Sequence, residues 1–168
     1  MKQSLLEKTI HIVEKKGADA VSMRDIAKKA GVSPMATYRH FSCKDELLLE
    51  VAAYGFDLLT KAGIDAALSE KTPLKKLESV LFAYYSFGLE HKNLFELMFG
   101  PLKKKQSLSM NFQKSAQASF MQFGKYVETF IGKSRLKEQK FEQQFASSVW
   151  SYIHGMTILS SNGYLSSQ

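Results

Sequence analysis

Apolar residues along this chain recur at intervals of three and four, the period of an α-helix, and nowhere alternate over a useful length. Leu6, Ile10 and Val13 form one stripe that ends at Gly17, a glycine placed to close a helix C-terminus. Ser22 stands as an N-cap before a second short helix carrying Ile26, Ala27 and Ala30 on one face, closed by Gly31. Ser33 caps a third helix, with Pro34 at the first helical position where its missing N–H costs nothing. Phe41 ends it. Ser42 restarts the chain with Asp45 and Glu46 in the first turn, favourable against the positive end of a helix. That helix runs through Leu47, Leu48, Val51, Tyr54 and Leu58 to about Leu68.

Thr72–Pro73 is a cap-plus-first-turn signal opening a helix to about His91. Asn93 starts a short apolar helix, Leu94 to Phe99, stopped by Gly100–Pro101, and Lys103, Lys104 and Lys105 mark an exposed turn. A further helix spans about Ser107 to Ile131, with Phe120, Phe123, Val127 and Phe130 along one seam. Gly132 breaks it, and a last helix runs from about Leu136 to Leu159 or beyond. No internal repeat is present. The predicted class is all-α.

Composition narrows the choices without deciding them. At 168 residues, 45% hydrophobic and 23% charged, the chain has the make-up of a globular protein of one or two small domains. A single cysteine, Cys43, rules out an internal disulfide and a Cys-based zinc knuckle, and points to a reducing compartment. Charged residues interrupt every N-terminal apolar stretch that could serve for export, and no run of eighteen apolar residues exists. The expected setting is cytoplasmic, with no membrane partner. A net charge of +7 and a pI near 9.4 invite a polyanion. Yet residues 1–50 hold nine lysines and arginines against seven aspartates and glutamates, and residues 51–168 hold fourteen against nine. The excess is spread out, so any nucleic-acid reading must come from an arrangement of residues.

Ser22–Phe41 supplies one. A short helix, a tight turn Ala30-Gly31-Val32-Ser33 and a second short helix are the layout of a helix-turn-helix. Gly31 can take a positive φ at the turn without steric cost, and Val32 is placed to plug it against Ile26 and Phe41. The second helix offers Ser33, Thr37, Tyr38, Arg39 and His40 on a polar outer face. A recognition helix needs such a face, because its first residues enter a major groove while the flanking ones hold phosphates.

The run S-M-R-D-I-A-K-K-A-G-V-S-P-M-A-T-Y-R-H-F-S-C-K-D-E-L-L strongly resembles the N-terminal domain of TetR-like transcriptional repressors over about residues 4–51. The resemblance implies a homodimer that reads a palindromic operator in double-stranded DNA and is released by a small-molecule effector. Carried over position by position, Arg24 contacts phosphate or a base edge, and Ser22 reaches phosphate beside it. Ser33 opens the recognition helix, and Pro34, Met35 and Ala36 take the base-reading positions. Tyr38 and His40 match the phosphate-gripping pair, and Lys44 the backbone-clamping lysine. Two positions depart from the pattern: Thr37 stands where a larger aliphatic residue is usual, and Cys43 where serine is common. Met35 and Ala36 are poor hydrogen-bonding readers, so thymine methyl contacts and DNA shape are expected to supply much of the specificity. The expected division is a DNA-binding domain at 1–46 and a helical ligand-binding and dimerisation domain at 47–168.

The second part is aromatic-rich, with eleven of the twelve phenylalanines beyond residue 50. Such residues are first of all core, but their number across several helices also suits an apolar cavity. Met98, Met110, Met121 and Met156 add adaptable walls, so a hydrophobic or aromatic effector is favoured. H-K-N-L-F-E-L-M-F-G-P and W-S-Y-I-H-G-M-T-I-L resemble the WHG-type C-terminal domain of one subgroup of TetR-like regulators. Trp150 and His154 sit one turn apart on a shared face, where they line a pocket or serve the core. The candidate pocket residues are Tyr84, Met98, Phe99, Phe123, Trp150 and His154. No histidine has metal-ligand spacing to an acid or to Cys43, and no cofactor is expected. The stretch from Gln143 to Gln168 carries no charge, and its small residues permit close approach by another helix. Against the resemblance, the chain stops early, as if a final helix were absent or cut back.

Nothing in the sequence reads as catalysis. It has no G-x-S-x-G, no phosphate-binding loop and no dinucleotide fingerprint. Cys43 beside Lys44 has a setting that can activate a thiol, though a structural cysteine at the DNA-facing edge is the simpler reading. The competing functions are a helical carrier that has lost operator binding, and an activator using the same helix-turn-helix.

Overall fold

The computed structural model describes residues 1–100, 109–132 and 139–165. Its helices are α1 (Lys2–Lys16), α2 (Met23–Lys29), α3 (Pro34–Tyr38), α4 (Lys44–Leu68), α5 (Pro73–Glu90), α6 (Lys92–Phe99), α7 (Met110–Ile131) and α8 (Gln139–Ser161). A 3₁₀ turn, Ala18–Ala20, joins α1 to α2, and there is no strand among the described residues. The expected turn at Lys103–Lys105 and the expected helix starts at Ser107 and Leu136 lie outside the described residues.

Several helix boundaries have a local cause. Gly17 closes α1 at φ +80°, with its N–H donating to the Val13 carbonyl at 2.8 Å. Ser22 and Ser33 cap α2 and α3 through side-chain oxygens that accept from Asp25 N–H (3.4 Å) and Ala36 N–H (3.2 Å). Gly31 sits between them at φ +69°, a conformation costly for a residue with a Cβ. Thr72 caps α5 by accepting from Lys75 N–H at 3.3 Å, and Ser109 caps α7 by accepting from Phe112 N–H at 3.1 Å.

The chain packs as two compact units. The first comprises Met1–Phe56 and His91–Ala116. The expected boundary at residues 46/47 falls inside it. Its core holds Leu5, Val13, Ile26, Phe41, Leu47, Val51, Leu94, Phe95 and Met98, all essentially inaccessible. On α1 the buried face is Leu5, Thr9 and Val13, while Leu6 and Ile10 are only half-buried. The stripe is thus turned by one residue from the expected one. A threonine tolerates this burial because its hydroxyl donates to the Leu5 carbonyl at 2.7 Å within its own helix. Gly55, in mid-α4, lets α6 close in, since a Cβ there would stand 2.6 Å from the Met98 sulfur. α6 is tied to α1 by Asn93 Nδ2, which donates to the Glu14 carbonyl at 2.9 Å. His91 Nδ1 lies 2.8 Å from the Glu14 carboxylate.

The second unit comprises Asp57–Glu90 and Gln117–Gln168. Its core joins Ala67, Leu77, Val80, Phe123, Val127 and Ala146, with Trp150 packed against it. α5 and α8 lie side by side, and Tyr85 Oη donates to Ser160 Oγ at 3.0 Å. The expected seam of α7 divides: Phe123 and Val127 are buried, but Phe120 and Phe130 are exposed. Helical periodicity drew four aromatic or aliphatic positions together. The core face that α7 presents is narrower than that stripe.

Candidate nucleic-acid interface

The helix-turn-helix is assembled by the first unit. α3 is held in place by its buried Thr37, which is 0% exposed, and by the Phe41 ring that follows it. This corrects the outward placement of Thr37. Of the five residues of α3, Thr37 is the one whose side chain is buried. The burial leaves its hydroxyl without a hydrogen-bond partner. A longer aliphatic residue would fill the same place at no polar cost.

What α3 shows to solvent is mostly apolar. Met35 is 69% exposed and Tyr38 51%, Pro34 is exposed, Ala36 is half-buried and the Ser33 hydroxyl serves the cap. Two large side chains this exposed on a short helix are open to an outside partner, and a methionine beside a phenol suits thymine methyl and phosphate contacts. Arg39 is exposed and His40 half-buried just beyond the helix. Arg24, on the exposed face of α2, borders a hollow of about 530 Å³ with Asp25, Lys28, Val32 and Pro34. Arg24 and Pro34 therefore share one concave edge. Ser22 is half-buried and occupied by its cap. Lys28 was not among the expected site residues, and only the fold sets it beside the edge that Arg24 and Pro34 share.

Lys44 sits at the first position of α4, with its ammonium donating to the Asp19 carbonyl at 3.3 Å. That bond uses one of three donors, leaving two for an outside acceptor. Cys43 is half-buried just before it. Glu46 closes this corner: one carboxylate oxygen accepts from the Ser42 N–H at 2.6 Å and from the Ser42 hydroxyl at 2.7 Å. These bonds hold the Glu46 carboxyl below its ordinary value of 4.5, the hydroxyl contributing most; slight burial opposes them and Lys2 assists.

The six candidate pocket residues divide between the two units. Met98 and Phe99 belong to the first unit, where Met98 packs on Gly55 and Phe99 meets Phe56 edge-on at 5.3 Å. In the second unit Tyr84 Oη is 2.8 Å from His154 Nδ1, and the His154 ring stacks on Trp150 at 5.2 Å. Burial raises the Tyr84 phenol well above its usual range, only partly offset by a hydrogen bond from Trp150. Phe123 lies deeper, in the core cluster against which Trp150 packs. Among the described residues there is no cluster of three or more histidine, cysteine or acidic side chains suited to a metal ion. Nor, among them, is any helix long and apolar enough to cross a membrane.

Comparison with known proteins bears on the same segment. A profile described as "Bacterial regulatory proteins, tetR family" matches residues 5–51. The chain is 25% identical over 142 residues to the uncharacterized HTH-type transcriptional regulator YerO of Bacillus subtilis, covering 77% of this chain and 49% of YerO. It is 25% identical over 154 residues to the HTH-type transcriptional repressor KstR of Rhodococcus jostii, covering 89% of this chain and 68% of KstR. The chain thus spans about half the length of the first of these relatives. Among solved structures, a protein of unknown function from Rhodococcus sp. RHA1 superposes with a TM-score of 0.85 at 27% identity, covering 99% of this chain and 86% of that one. FadR from Bacillus subtilis, solved in complex with stearoyl-CoA, shares the fold with a TM-score of 0.74 at 15% identity, covering 99% and 90%.

Proposed function

With residues 5–51 belonging to the tetR family of bacterial regulatory proteins, we propose that this chain is a sequence-specific DNA-binding repressor, not an enzyme, and that it works as a cytoplasmic homodimer. The observation that carries the reading is the capped helix α3, sealed beneath by Thr37, with Met35 and Tyr38 free in solvent and Arg24 on the adjoining edge. Arg24, Tyr38, His40 and Lys44 take phosphates, while Pro34, Met35 and Ala36 lie against base edges. Ser22 and Ser33 fix the two helices that carry them.

Dimerisation is supported by two mid-helix glycines. At Gly124 of α7 and Gly155 of α8, an added Cβ would meet nothing within 4 Å. A glycine in a helix interior costs about 1 kcal/mol relative to alanine, and packing within this chain does not require it. On α8 the exposed Tyr152 and Leu159 flank Gly155 on a face without charge. A second copy seated there uses the small residues for close approach.

Release by a small hydrophobic or aromatic effector is supported by the Tyr84–His154–Trp150 group, a polar tip set among aromatic rings and suited to orienting an apolar ligand. The stearoyl-CoA bound to FadR, a protein of the same fold, supports an apolar ligand class. An effector that prefers one arrangement of the dimer shifts the spacing of the two α3 helices from the ~34–36 Å of one duplex turn.

A footprint on the DNA flanking the chain's own gene tests the reading. One protected segment with two related half-sites is expected, with Tyr38→Ala weakening binding to every sequence. No protection anywhere in that DNA overturns it.

A further inference from the structure

α2 turns Met23, Ile26 and Ala27 inward and leaves Arg24, Asp25, Lys28 and Lys29 as a ridge in solvent. A hollow lies on each side of that ridge. On one side Arg24, Asp25 and Lys28 face Val32 and Pro34 at the reading edge. On the other, a hollow of about 590 Å³ is lined by Asp25, Lys28 and Lys29 of α2 together with His11, Ile12, Lys15 and Lys16 of α1 and by Ala20. Asp25 and Lys28 border both hollows, so a basic surface continues from the reading edge across α2 to α1.

The second hollow gathers four lysines against one aspartate. Among the described residues none of these four ammonium groups is paired with a carboxylate. A lysine in the last turn of a helix is favoured by the helix dipole, and both pairs end their helices. That preference explains a lysine at each end, but not two helix ends turned onto one hollow. Like charges gathered there repel one another, and a polyanion relieves the repulsion.

We infer that this hollow is a second backbone-binding surface for the same duplex, in which Lys15, Lys16, Lys28 and Lys29 take phosphates flanking the bases that α3 reads. The inference rests on the DNA-binding reading above. DNA fits better than a small phosphorylated ligand for two reasons. The four charges are spread over two helix ends, matching a polymer of repeating charge. Lys28 also stands at the reading edge, so one backbone serves both hollows. The contribution is affinity without sequence preference, since ammonium groups on phosphates carry no base information.

The test replaces all four lysines by glutamine and measures binding against salt on a duplex extending a full turn past the protected segment. Each lost phosphate contact removes about 0.9 from the slope of log affinity against log salt. The expected slope is therefore shallower by about two to four for each protomer bound, and by about twice that for a dimer on two half-sites, with the ratio of operator to non-operator affinity unchanged. The quadruple arginine variant restores the slope. A charge control, with Lys71, Lys76, Lys114 and Lys125 changed to glutamine, keeps it. An unchanged slope in the lysine-hollow variant overturns the inference, as does an equal loss in the control or no recovery with arginine. Wild-type protein that binds no duplex overturns the DNA-binding reading itself. Wild-type protein that binds, with a slope indifferent to the four lysines, overturns this inference alone.

Discussion

Thr37 is a residue whose chemistry and surroundings disagree. It is fully buried on the inner side of α3, and its hydroxyl finds no partner. An orphaned buried polar group costs about 1–3 kcal/mol. Valine has the same shape without the hydroxyl, so Thr37→Val is expected to raise unfolding stability by about 1 kcal/mol or more. A urea titration reads this as a higher midpoint at unchanged slope. DNA affinity should stay the same, because the side chain never reaches solvent. A lower midpoint would mean that the hydroxyl is satisfied in solution. Thr9, equally buried, is the contrast: its hydroxyl already donates to the Leu5 carbonyl, and the same exchange there removes a real bond.

At the scale of elements, the start of α4 carries a pH signature. Glu46 accepts two hydrogen bonds from Ser42, which fixes the corner where Lys44 stands. Because its folded pKa lies below the ordinary 4.5, the carboxylate adds stability at all pH values above 4.5 and loses it as pH falls through the lowered value. Wild type should therefore melt above Glu46→Gln at neutral pH, with the gap constant down to about pH 5. It should close in more acid solution. Thermal melts across that range check it, and a gap that persists when the carboxyl is fully protonated would assign the effect to packing. The α1–α6 tie is a second device of this scale. Sequence reading found α6 and its boundaries, but not that Asn93 and His91 meet Glu14, because residues nearly eighty positions apart leave no shared periodicity.

For the whole molecule, the proposed dimer makes the sharpest claim. Leucine at Gly155 gains helix propensity, and its Cβ would meet nothing within 4 Å in this chain. The isolated chain should thus fold at least as well, while a second copy is pushed away from α8. Analytical ultracentrifugation should show Gly155→Leu shifted toward monomer, with operator affinity falling alongside. A variant that sediments like wild type would move the dimer interface to another face.

Much of this was legible along the chain. Caps, glycine breaks and helical period are encoded within a few residues, so α2, α3, α5 and α6 were expected nearly as they stand. Tertiary structure decided which side of each helix is inside. It turned α1 by one residue, put Thr37 in the core and left Phe120 and Phe130 in solvent. It also assigned Met98 and Phe99 to a different packing unit from Trp150 and His154, and gathered four lysines from two helices around one hollow. Local hydrogen bonds and backbone preferences act over one turn and can be read from sequence. Burial depends on which distant surfaces meet, and only the folded chain brings them together.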